Sequence, residues 1–93
     1  MTKRYLHIAF GIVDTQRLNA LEAVFNTMSG DWMRYNNTCW VTWTLHAPSI
    51  WFNAIQPHLK AGEHLLILEL KPNQEPLQGM LPQWAWNWLN TTR

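Results

Sequence analysis

The chain has 93 residues, seven of them tryptophan, a formal net charge of +1 and a single cysteine, Cys39. A chain of that length builds one domain around one modest core, so seven indoles exceed what the core can hide and some are expected at an interface. The near-neutral charge excludes a protein that holds nucleic acid by phosphate neutralisation alone, and one cysteine excludes an internal disulfide or a multi-cysteine zinc site.

In chain order, Tyr5 to Ile12 alternates Leu6, Ile8 and Phe10 against Tyr5, His7 and Ala9, a strand period with apolar character on both faces. Such a strand is expected at the centre of a sheet. Asp14 or Thr15 can cap a helix whose apolar residues Leu18, Leu21, Val24, Phe25 and Met28 recur at steps of three and four. It is expected to end at Ser29-Gly30, where glycine suits a left-handed cap. Trp32 to Tyr35 and Thr38 to Leu45 flank Asn36-Asn37, a pair that tolerates positive φ and predicts a two-residue hairpin. Pro48 opens a second helix with the stripe Ile50, Trp51, Ala54, Ile55, His58 and Leu59, tightened at Pro57 and stopped at Ala61-Gly62. The run HLLILEL, 64–70, returns as a last strand. The order predicts an α+β, ferredoxin-like βαββαβ fold over 1–70, with two helices on one face of an antiparallel sheet.

The remainder divides in two. Residues 71–80 carry Pro72, Pro76 and Gly79 with little apolar content and read as an extended connector reaching up to ~33 Å. In 81–93, Leu81, Trp84, Ala85, Trp88 and Leu89 share a helical face with Pro82 in the first turn, whereas Trp84, Trp86 and Trp88 would share a face of a strand. We read a Trp-rich helix. Being too short to stand alone, it must dock on the core or on a partner subunit. Neither a signal peptide nor a membrane span fits the N-terminal pattern, and a cytoplasmic protein is expected.

The segments YLHIAFGI, TCWV, IWFNAIQPHLKAGEHLLILEL and the final WxxxWL together make the chain similar to the small Cas-two-like proteins, also labelled the SinR family. The most specific stretch is Ile55-Gln56-Pro57-His58-Leu59 followed by Glu63-His64-Leu65-Leu66-Ile67. The resemblance implies a ferredoxin-like fold and a two-fold dimer with the sheets facing one another. It also implies metal-dependent nuclease chemistry from an aspartate ending the first strand; here that place is Phe10-Gly11, which holds no ligand.

Catalytic constellations are not legible. The acids Asp14, Glu22, Asp31, Glu63, Glu69 and Glu75 fall on different elements, and Asp14 is expected as a helix cap. His7, His46, His58 and His64 lack metal-ligand spacing, and neither Cys39 nor Ser49 stands in a nucleophile motif, Cys39 being expected as a small buried side chain. No catalytic residue, metal or cofactor is assigned. Base stacking on Tyr5, His7, Phe10, Trp40 and Trp43 has a precedent in sheet-based RNA recognition, but Trp40 and Trp43 point to opposite faces by strand period. The basic candidates Arg4, Arg17, Arg34 and Lys60, with Lys3, form no run.

The reading is therefore a non-enzymatic homodimeric scaffold that offers Tyr5, His7, Trp40, Trp43, Trp84, Trp86 and Trp88 to a partner. The alternative is a nucleic-acid-binding or nuclease-like protein of the CRISPR, toxin or mobile-element type. The uncovered side of the sheet is too apolar to be wetted, so a second copy is expected to shield it.

Overall fold

The computed structural model describes residues 2–72, 77–91 and 93. The first alternating segment forms β1 (Arg4–Gly11), with Leu6, Ile8 and Phe10 buried on one face and Tyr5, His7 and Ala9 half-buried on the other. Helix α1 (Thr15–Met28) follows, capped by the Asp14 carboxylate, which accepts the N–H groups of Gln16 at 2.9 Å and Arg17 at 3.3 Å. Its Leu18, Leu21 and Phe25 are buried.

The helix does not end in the expected left-handed glycine. Ser29 is extended and donates its N–H to the Phe25 carbonyl at 3.0 Å. Gly30 serves close approach instead: its N–H donates to the Trp43 carbonyl at 2.7 Å, and a Cβ there would come within 3.3 Å of the Trp43 ring. The positive φ, +84°, is at Gly62 in the turn before the last strand.

β2 (Asp31–Asn36) and β3 (Cys39–Thr44) form a hairpin whose turn is Asn37-Thr38, one residue later than expected and without a positive φ. An irregularity between Arg34 and Asn36 shifts the register, and the Asn36 side-chain oxygen accepts the Thr38 N–H at 3.0 Å, so local side-chain bonding replaces the left-handed turn. Helix α2 (Pro48–Ile55) tightens into a 3₁₀ turn (Gln56–His58) at Pro57, as its sequence requires. Trp51 and Ile55 are buried, whereas Ile50 and His58 from the expected stripe are exposed.

β4 (His64–Leu70) completes a sheet of order β2-β3-β1-β4, antiparallel throughout. With α1 and α2 on one face, this is the ferredoxin-like α+β arrangement. The last element is a helix and not a strand, α3 (Gln83–Asn90), and it lies on the opposite face, where Ala85 and Leu89 pack with Met33 and Val41. Residues 73–76 of the expected connector lie outside the described residues. None of the described helices is long and apolar enough to cross a membrane.

The core beneath α1 and α2 is aromatic. Phe25 stacks on Trp40 at 4.8 Å and 10°, with Phe10 edge-on to Trp40 at 5.2 Å and Trp51 tilted against Phe25 at 5.0 Å. Trp40 is fully buried there and has no surface for a partner, which corrects its place among the interface candidates. Two threonines share this interior. The Thr44 hydroxyl donates to the Met28 carbonyl at 2.9 Å and accepts the Trp51 indole N–H at 3.2 Å and the His46 N–H at 3.1 Å, while Thr42 bonds Ser29. One buried hydroxyl thus ties the end of α1 and the side of α2 to β3. Thr44→Val keeps the shape but strands an indole N–H and a carbonyl, and should lower unfolding free energy by about 2–3 kcal/mol in urea titration, with Thr44→Ser losing much less.

Candidate interaction surface

By strand period, the face opposite α1 and α2 carries Tyr5, His7 and Ala9 from β1, Val41 and Trp43 from β3, and Leu66, Leu68 and Leu70 from β4. Pairing places Tyr5 between Trp43 and Leu70, and His7 between Val41 and Leu68. Helix α3 covers the β2–β3 side of this face, so the chain itself shields half of what was expected to need a second copy. The β4 side stays open: Leu66 is 55% and Leu68 48% exposed on an edge strand.

Of the aromatic candidates, Tyr5, Trp43 and Trp88 come together. Trp43 lies 4.6 Å from Tyr5, and Trp88 meets Tyr5 edge-on at 5.9 Å. Trp86 is half-buried against the sheet, while Trp84 projects outward at 50% exposure, because the eight-residue helix turns only Ala85 and Leu89 fully inward.

Two residues not anticipated from the sequence organise this surface. The first is Arg93. Its guanidinium lies 3.9 Å above the Trp88 ring, donates to the Asp31 carboxylate at 2.8 Å and to the Trp88 carbonyl at 2.7 Å, and so pins the end of α3 to β2. The second is Tyr35, whose hydroxyl sits 2.5 Å from His7 Nε2. Burial, and then the neighbouring Cys39, push the Tyr35 phenol up to about 12, and burial lowers the His7 pKa, so this pair is uncharged at neutral pH. No periodicity reports either contact; only the aromatic content of the hairpin hinted at the second. Cys39 is half-buried at the edge of this cluster and not enclosed as expected.

The basic candidates are separated, and the three arginines among them are engaged within the chain. Arg17 grips Glu63 at 2.5 and 2.8 Å and the His58 carbonyl at 2.8 Å; Lys60 donates its backbone N–H to the same carboxylate at 2.7 Å. Arg34 bonds Glu22 at 2.8 Å and lies 4.4 Å over Trp40, and Arg4 is 3.5 Å from Glu69. These acids offset the positive charge that a phosphate backbone would need. Among the described residues no three His, Cys, Asp or Glu side chains converge as a metal site would require. Comparison with protein-family models, curated proteins and solved structures finds no significant match to this chain.

Two outcomes follow from these contacts. Arg93→Ala should cost roughly 1 kcal/mol, a modest loss because Asp31 is half-exposed. Amide exchange should rise in α3 while the β1–β3 ladder stays protected. The Arg17 hydrogen bonds, and then the Lys60 N–H, hold the Glu63 carboxyl down from 4.5 to about 2. Because its pKa is depressed in the folded chain, this pair contributes fully above about pH 4.5 and loses its contribution as pH falls toward 2. Glu63→Gln should flatten that part of the acid-unfolding curve, measured by circular dichroism.

Proposed function

We propose that this protein is a homodimeric interaction module in which a second copy covers the β4 side of the outer sheet face. The observation that carries the reading is the pair of exposed leucines, Leu66 and Leu68, on the face of edge strand β4 turned away from α2, which none of the described helices covers. Edge strands in isolated domains are commonly blunted by charge, proline or a bulge. On its outward face β4 presents His64, Leu66, Leu68 and Leu70, and its register with β1 runs unbroken over seven pairs.

The chemistry of the patch favours a second copy over an unlike partner. A two-fold contact is made by the same surface on both sides, so it must be complementary to itself. Leucine against leucine meets that condition, whereas a strongly charged patch would not. Exposed Leu77 extends the apolar area beside Leu70. The likeness to Cas-two-like proteins, whose dimers face their sheets toward each other, supports the same arrangement. Half-exposed Trp84 on α3 is available to further protein partners.

Sedimentation velocity should show a dimer at micromolar concentration, and the double variant Leu66→Lys, Leu68→Lys should be monomeric with an unchanged circular dichroism spectrum. Both side chains already reach solvent, so the fold tolerates the lysines. A monomeric wild-type chain would sink the proposal. So would a dimer indifferent to the double substitution.

A further inference from the structure

The free edge of β4 carries backbone groups whose positions follow from the ladder on its other side. Phe10 donates its N–H toward β3, to the Thr38 carbonyl at 2.9 Å. Successive residues of a strand turn their N–H and C=O to opposite sides, so Tyr5, His7, Ala9 and Gly11 direct theirs to β4. Their partners Leu70, Leu68, Leu66 and His64 are thereby engaged with β1. Leu65, Ile67 and Glu69 direct theirs the other way, to a side on which no described strand pairs with β4.

An edge of this kind takes up an extended strand, and the side chains beside it select which one. On the outer face stand exposed Leu66 and Leu68. On the helix face a groove of about 390 Å³ runs between α2 and β4, with Phe52, Leu65 and Ile67 in its wall. A strand that fits is therefore apolar on both of its faces. β4 is itself such a strand, with Leu66 and Leu68 on one face and Leu65 and Ile67 on the other.

We propose that two copies of the chain join along β4, antiparallel about a two-fold axis at Ile67, into one continuous sheet. The inference rests on the dimer read above and specifies how its strands meet. Centring on Ile67 matches all seven residues of β4. The backbone of Ile67 then bonds the partner's Ile67, and that of Leu65 bonds the partner's Glu69. Leu66 falls opposite the partner's Leu68 in a non-hydrogen-bonded pair, where side chains approach most closely, so each copy's outer leucines are covered by those of the other. Glu69, the one acid of the strand, meets the partner's Leu65 and not the partner's Glu69, and no like charges face each other. A centre on Leu68 would shorten the ladder and set Ile67 against the partner's Glu69.

The test is amide exchange by NMR on the full chain, in the wild-type dimer and in the monomeric Leu66→Lys, Leu68→Lys variant. The amides of Leu65, Ile67 and Glu69 should exchange at least tenfold more slowly in the dimer, whereas those of residues 66 and 68, bonded to β1, should be protected in both. Glu69→Pro removes an N–H that β1 does not use and sets the proline ring in the seam, while Leu66 and Leu68 are kept. It should weaken the dimer at least tenfold in sedimentation velocity, and Glu69→Ala, which keeps the N–H, should leave it as tight as wild type. Two results would overturn the pairing and keep the dimer: amides of Leu65, Ile67 and Glu69 that exchange equally fast in dimer and monomer, or a dimer that Glu69→Pro leaves intact. A monomeric wild-type chain would remove the dimer and the pairing together. The exchange comparison does not depend on the proline variant, so it decides even where Glu69→Pro fails to fold.

Discussion

β1 keeps water from both of its faces: Leu6, Ile8 and Phe10 are enclosed under α1 and α2, and Tyr5, His7 and Ala9 on the other side are half-buried as well. A βαββαβ unit supplies two helices, and both lie on the same face. The second face must be covered by something else, or the central strand is left wet on residues that gain by being dry. α3 and the open β4 side both follow from that one requirement.

α3 meets part of it and cannot meet all of it. Eight residues make about two turns, too few for an isolated helix to persist in water, so α3 exists because the sheet offers it Met33 and Val41. Its length also limits its reach. It spans the hairpin side, where Ala85 and Leu89 sink in, and leaves Leu66 and Leu68 of β4 uncovered. Arg93 compensates for the small apolar contact by adding a cation over Trp88 and an ion pair to Asp31. The result is a weakly held cover on a strongly held sheet. Local opening should therefore begin at α3 and not in the ladder between β1 and its neighbours.

How much of this could be read from the residues varies with the kind of signal involved. Periodicity spoke clearly for β1 and α1 and for most of α2, because alternating or three-and-four spacing is imposed by the very burial it reports, while β4 was legible as the apolar run HLLILEL. Pro57 correctly marked the tightened turn after α2. Turn chemistry was less faithful. Asn36-Asn37 has the composition of a left-handed hairpin turn, yet Asn36 instead accepts a bond from Thr38 and moves the turn by one residue. Gly30 has the composition of a helix cap but is used for its lack of a side chain beside Trp43. In both places one residue type serves two physical purposes, and only the neighbours decide. The surface was harder still. Strand period separated Trp40 from Trp43, but it could not say that the Trp40 face was the one under the helices. Arg93 to Asp31 and His7 to Tyr35 are contacts across many residues that leave no local pattern at all.

The seven tryptophans also look less excessive once their positions are known. Trp40 and Trp51 fill the interior, and Trp32 packs at its edge with its indole N–H donated to Asn26 at 2.9 Å. Trp43, Trp86 and Trp88 form the seam between the sheet and α3, where a wide flat ring covers more area than an aliphatic side chain and costs less entropy to fix. Only Trp84 stands half in solvent. Indoles thus compensate for the shortness of α3, and the apolar surface that α3 leaves exposed on its own face of the sheet is aliphatic and lies on β4. The proposed self-complementary leucine contact is a different kind of interface from the aromatic one that composition alone suggests: it would supply area with little directional specificity. Selection between partners would then rest on the shape of the half-covered face, which α3 sets. The helix that shields one half of the sheet in this way also defines what can approach the other.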